Sequence, residues 1–341
     1  MTESSLHPTD TMSVPERPFS RVARSVAGYG VVTALMLITP LLVFAPAALF
    51  HCAMRNNRIA AWSAALVATG LAGLYFAEVA NTSALADARL AYTSYIGIVL
   101  SVVVPSIAAL PLVQQRRKFG TVLMFALIVS AAGLVLTEFV MRSMSFSPYA
   151  MQVQQMSATA SQIATMVKQN GVRDSQLWLL NRVSMLVPAM AIFQVGLVFV
   201  LSLMMYGRLS AWRAFALRGA DRATMRQTYL FRNLQLPEWV LFLFVAGGLT
   251  PLLTGIWQLI AANVLTVVFC LYLLQGLAIF RAILVRTGAG WVGSLLGFFI
   301  LAMLCLTGIG LVLLAGAGLF DPFVDFRKLN RKDDSHESHT D

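Results

Sequence analysis

Apolar residues in this chain come in long unbroken runs rather than at helical or strand periodicity. Eight runs stand out: Ala27–Phe50, Ile59–Ala80, Tyr92–Val113, Thr121–Val140, Leu177–Met205, Trp239–Leu259, Ala261–Phe280 and Trp291–Leu319. About 20 apolar residues suffice for a helix to cross the hydrocarbon of a bilayer. A membrane β-barrel would instead alternate apolar and polar positions over ten-residue segments, and in lipid only helices and closed barrels satisfy their backbone polar groups. The pattern therefore predicts an all-α fold, a polytopic integral membrane helical bundle of about eight transmembrane helices.

Within this frame the first run is irregular, because it contains Pro40 and Pro46. Proline lacks an N–H and clashes with the turn before it. The run is either one kinked span or a helix broken near Thr39–Pro40 with a second half from Leu41 to Phe50. Two further segments are not spans. Residues 142–176 read as an external polar insert, with Val153, Met156, Ile163 and Val167 on one helical face. Such a face suits a helix lying on the bundle or the membrane surface, or a substrate-gating lid. Residues 206–236 read as an arginine-rich cytoplasmic segment, expected to break at Gly219 and to resume before Pro237. Polar tails, 1–26 and 320–341, flank a bundle spanning 27–319.

Composition agrees with the runs. Hydrophobic residues make up 58% and charged residues 12%, and the mean hydropathy is +0.74. A soluble domain carries about a quarter charged residues, so a soluble globular protein, a fibre and a disordered chain are all excluded. The net charge of +10 sits in short basic runs between apolar stretches. It is a topology signal rather than a nucleic-acid footprint. The loops after the first, third, fifth and seventh runs hold thirteen Lys and Arg, against nine on the opposite side. The thirteen are expected in the cytoplasm. A single crossing by the first run would then leave Arg17, Arg21 and Arg24 outside, whereas a re-entrant first run keeps them inside. In either case the count puts the basic C-terminal tail outside.

Candidate chemistry is sparse. The sequence contains no GxxxxGK[ST] loop, GxSxG elbow or HExxH pair, and nothing argues for an enzyme or a cofactor. His51 is the one histidine near the membrane and reads as interfacial. Cys52, Cys270 and Cys305 share no close spacing and read as small apolar side chains. Polar residues inside spans are costly unless paired or hydrated, so Gln194, Asn263, Tyr272 and Gln275 are candidates for helix packing or ligand contact. Glu78 with Asn81, and Glu138 with Arg142, read as interfacial pairs. Gly293 and Gly297 form a GxxxG, a weak packing signal. Arg213, Arg218, Arg222 and Arg226 lie among apolar and aromatic residues and could anchor the loop or dock anionic lipid or a partner.

The runs FRNLQLPEWV (Phe231–Val240), NVLTVVFCLYLLQGLAIF (Asn263–Phe280) and LFDPFVDFRKLNRK (Leu319–Lys332) resemble the YybS-like family (domain of unknown function 2232), uncharacterised bacterial polytopic membrane proteins. The correspondence rests on Leu236, Pro237, Glu238 and Trp239, on Tyr272, Gln275 and Gly276, and on Asp321, Phe323, Asp325, Phe326 and Arg327. The resemblance implies a multi-pass protein of the bacterial inner membrane. It also implies a distant likeness to the substrate-binding S-components of energy-coupling-factor transporters. The expected function is accordingly a non-enzymatic one, binding a small solute and passing it inward with a separate ATPase module. The alternative is a non-transporting scaffold that organises envelope proteins or lipids.

Overall fold

The computed structural model describes residues 19–82, 85–169, 184–218, 229–288, 290–324 and 326. Among them every regular element is helical. The first is α1 (Phe19–Leu37), followed by a 3₁₀ turn (Pro40–Phe44) that leads into α2 (Ala45–Arg55). Next come α3 (Arg58–Thr82), α4 (Leu85–Ile98), a π-helical turn (Val99–Val103) and α5 (Val104–Gln114). Then follow α6 (Phe119–Ser143), α7 (Pro148–Gln169) and α8 (Val187–Arg218). The last four are α9 (Val240–Gly248), α10 (Gly255–Arg286), α11 (Trp291–Leu306) and α12 (Ile309–Val324). Helix therefore begins ahead of residue 27 and continues beyond 319.

Five helices are long and apolar enough to cross a membrane: Arg58–Thr82, Ala88–Gln114, Phe119–Ser143, Val187–Trp212 and Gly255–Arg286. The pair α11 and α12, bent by 110° at its break, would make a sixth. The eight sequence runs thus resolve differently at three places, each with a local cause.

Of the two readings that Pro40 leaves open for the first run, the structure has the broken one. Thr39 caps the 3₁₀ turn, its hydroxyl accepting from Leu41 N, and the chain reverses there. The Tyr29 hydroxyl lies 2.6 Å from His51 Nδ1, and Asn56 Nδ2 donates to Ser25 Oγ at 3.0 Å. Ascending positions on α1 meet descending positions on α2, so the two form an antiparallel hairpin. Residue 25 then lies at the same end of the bundle as Arg55 and Arg58, which puts Arg24 at that end; Arg17 lies outside the described residues. His51, read from sequence as interfacial, pairs with Tyr29 in this hairpin.

The run Trp239–Leu259 is not one span. Leu249 ends α9, a 3₁₀ turn (Thr250–Leu252) with Pro251 follows, and Gly255 takes a left-handed φ of 62°. The nine-residue α9 is about 13 Å long. It folds back along α10, where a Cβ on Gly247 would touch the Leu265 backbone. Residues 255–259 belong to α10. The last run breaks at Gly308, whose φ of 77° suits glycine.

Between α4 and α5 the π-helical turn precedes Pro105, which cannot donate to the carbonyl four residues back. That carbonyl, of Ser101, accepts from Ser130 Oγ on α6 at 2.8 Å. The same hydroxyl lies 2.7 Å from the Ala126 carbonyl of its own helix, so its single hydrogen is shared between the two carbonyls.

At the far end of α6, Glu138 builds the turn into α7. Its Oε1 accepts from Arg142 Nε at 2.9 Å and from the Ser147 hydroxyl at 2.5 Å, while Oε2 accepts from Tyr149 N at 3.0 Å. The predicted ion pair is therefore also a helix cap, and it fixes where the 142–176 insert leaves the bundle. Residues 170–183, with the expected start of the fifth run, lie outside the described residues.

Candidate functional site

An enclosed polar cluster forms where residues 229–240 meet α10 and α12. Although part of the arginine-rich segment expected in the cytoplasm, residues 229–236 turn into the bundle. Tyr229 takes a left-handed φ of 62° at the entry. Its ring stacks edge-on against Phe119 at 5.8 Å and tilts against Tyr206 at 6.0 Å. Burial and the neighbouring Tyr206 push its phenol above the ordinary tyrosine value. A 3₁₀ turn (Phe231–Asn233) follows, and Leu234 and Leu236 are buried. Pro237 prevents this stretch from joining α9 as a continuous helix. Extended backbone needs close neighbours here, and α6 supplies one: a Cβ on Gly120 would lie 1.9 Å from the Gln235 carbonyl oxygen.

Gln275 on α10 holds the segment. It is wholly buried, with Oε1 accepting from Leu236 N at 3.0 Å and Nε2 donating to Asp321 Oδ2 on α12 at 3.1 Å. One side-chain amide thus joins an unwound segment, a long helix and a buried carboxyl group. Close approach of α10 and α12 makes this possible. A Cβ on Gly276 would lie 2.0 Å from the Leu314 carbonyl oxygen, and one on Gly318 would lie 2.1 Å from that of Tyr272. These two glycines, rather than Gly293 and Gly297, form the tight helix contact.

Tyr272, one turn before Gln275, is buried and stacks edge-on with Phe244 at 5.8 Å. Its other side faces a cavity of about 310 Å³ lined by Leu236, Pro237, Glu238, Leu241, Phe242, Leu319, Pro322 and Phe323 as well. Glu238 is exposed and is the one charged side chain in this lining. Of the residues singled out from sequence, Tyr272 and Gln275 therefore come together with Glu238 and Asp321 of the family pattern.

The other candidates lie elsewhere. Asn263 accepts from Ala189 N at 2.9 Å and donates to the carbonyls of Met185 at 3.0 Å and Leu259 at 2.9 Å. It closes the start of α8, with both its amide oxygen and its amide nitrogen engaged. Gln194 is exposed on α8, away from the Gln275 cluster, and makes no hydrogen bond among the described residues. Arg213 and Arg218 fall on the last turns of α8, which runs unbroken from its span to Arg218; their side chains, Arg222, Arg226 and the expected break at Gly219 lie outside the described residues. The C-terminal tail beyond residue 326 does too. The three cysteines are free, and among the described residues no group of His, Cys, Asp or Glu could hold a metal ion.

No curated protein and no solved structure matches this chain. The family described as "Predicted membrane protein (DUF2232)" matches residues 30–322. That stretch takes in the end of α1 with α2, the entering segment and the Gln275–Asp321 pair. On that match the chain belongs to the DUF2232 family of multi-pass membrane proteins.

Proposed function

We propose that the protein binds a small, largely apolar solute carrying a positive charge in the cavity beside Tyr272, as the substrate-binding subunit of a transport system whose energy comes from a separate ATPase. The observation that carries this reading is the unwound segment 229–239, pinned by Gln275 inside a helical bundle and forming one wall of a cavity. Irregular backbone held between helices offers directed polar groups to a cavity wall, and transporters build binding sites from such interrupted segments. Glu238 supplies the charge that such a solute would meet, and Tyr272, Phe242 and Phe323 supply aromatic faces that attract organic cations. Gln275 keeps the wall in place.

The test is native mass spectrometry of protein purified in mild detergent, followed by thermal-shift screening of organic cations against neutral analogues of matched size. A cation that stabilises the wild type and no longer stabilises Glu238→Gln supports the reading. Equal stabilisation of both proteins, or of wild type by neutral and cationic analogues alike, removes it.

A second reading, a scaffold for envelope proteins or lipids, draws on α11. This helix has only Leu301 buried and leaves Trp291, Val292, Leu296, Phe299 and Ile300 exposed. Recovery of a stoichiometric membrane protein lost on Leu296→Glu, with no small molecule bound, would favour that role.

A further inference from the structure

We infer that the chain carries a binding site for the phosphate of an anionic phospholipid, formed by Arg208, Arg232 and Arg281 and separate from the solute cavity. The three arginines line one cavity of about 390 Å³, together with Tyr229, Phe231 and Phe298 among others. They come from three different elements: Arg208 from α8, Arg232 from the 3₁₀ turn of the entering segment, and Arg281 from α10. None of these positions is among the arginines that the sequence pattern singles out for docking.

Charge is the first argument. Arg208, Arg232 and Arg281 all border the cavity, and no described residue lining it is a carboxylate. Phosphate oxygens are the natural complement of guanidinium groups, which hold them bidentately. Position is the second. Arg208 lies just beyond Tyr206 on α8, level with the aromatic cluster of Phe119 and Tyr229 at the start of α6. This is the end of the bundle that carries Arg116, Arg117 and Lys118, the face that the positive-inside count assigns to the cytoplasm.

The third argument selects a lipid over a free anion. The cavity is walled on one side by Phe298 of α11, which packs edge-on against Phe280 at 5.4 Å. Arg281 ties this helix down by donating to Ser294 Oγ at 3.2 Å. Beside Phe298, Leu295, Leu296 and Phe299 stay exposed. A phosphate seated on the arginines would therefore have an apolar bed next to it for acyl chains. Inorganic phosphate would leave that bed bare.

The test uses the full-length protein in nanodiscs of phosphatidylcholine with or without phosphatidylglycerol. Lipid retained on transfer to detergent is counted by native mass spectrometry. Wild type should retain phosphatidylglycerol over phosphatidylcholine. Arg208→Gln should weaken retention about fivefold, since one basic residue is worth about 1 kcal/mol against an anionic lipid. Arg208→Gln with Arg281→Gln should abolish the preference. Arg208 makes no hydrogen bond to a described residue, so the single variant leaves the helix contacts intact. Arg208→Lys, which keeps the charge but not the fork, should fall between. Unchanged preference in the folded Arg208→Gln and double variants would overturn the assignment. So would thermal protection by inorganic phosphate equal to that by phosphatidylglycerol, which would make a free anion the occupant.

Discussion

Gln275→Leu is the sharpest probe of the interior architecture. Leucine is close to glutamine in volume, so packing around position 275 is nearly conserved while both polar contacts disappear. The Leu236 N–H loses its acceptor at a buried position, and stranding such a donor costs about 1–3 kcal/mol. The bond to Asp321 Oδ2 is lost as well. Hydrogen bonds between membrane helices average about 0.6 kcal/mol and reach about 1.7. Together the substitution should cost about 2–4 kcal/mol. At roughly 2 °C per kcal/mol for a chain of this size, the melting temperature in detergent should fall by about 4–8 °C. A double-mutant cycle with Asp321→Ala apportions the loss, and a coupling of about 0.5–2 kcal/mol is expected for groups in direct contact. Hydrogen exchange locates it: amides of residues 234–236 should lose protection while those of α3 keep theirs. A Gln275→Leu protein that melts within about 1 °C of wild type, with residues 234–236 still protected, would refute the reasoning, since the segment would then be held by something other than this amide.

Gly318→Ala should destabilise by about 1–3 kcal/mol because its methyl group would meet the Tyr272 carbonyl, whereas Gly316→Ala, with open space around it, should stay within about 0.5 kcal/mol. Thermal melts of the two side by side decide this. Replacing Glu138 by Ala should remove three hydrogen bonds from the α6–α7 turn and raise hydrogen exchange over residues 147–151, with α8 unaffected; exchange unchanged there would disprove the cap. Single cysteines at Arg24 and Asn57, in a background lacking Cys52, Cys270 and Cys305, should label from the same side of sealed vesicles with an impermeant thiol reagent. Labelling from opposite sides would break the α1–α2 hairpin.

The bundle's class was legible because apolar runs of this length admit few structures, whereas Pro40 marked where the first run would bend but left open whether the chain kinks or turns back. Other features escaped for identifiable reasons. The run Trp239–Leu259 is apolar throughout, so hydropathy averages across Thr250, Pro251 and Gly255, the residues that stop one helix and start another. Leu234 and Leu236 are apolar yet not helical, and the arginines before them made the whole stretch look like a loop. The α10–α12 contact draws one glycine from each helix, Gly276 and Gly318, so a spacing search within a single helix finds Gly293 and Gly297 instead. Asn263 and Gln275 both looked like polar residues needing a partner. Nothing in their spacing says that one would seal the start of α8 while the other would hold extended backbone. The family pattern contained the strongest clue, since its three motifs supply Leu236, Gln275 and Asp321, which meet in space.

That meeting dictates an order of assembly. The Leu236 amide finds its acceptor 39 residues later in the chain, and Gln275 finds its second partner 46 residues later still. When the stretch around Leu236 leaves the ribosome, neither α10 nor α12 exists, and the Leu236 amide has no acceptor but water. Its clamp is complete only after Asp321 has been made. The segment that packs on α6 at Gly120 is therefore locked from the far end of the chain, and a chain stopped before Asp321 would hold it by half of its clamp.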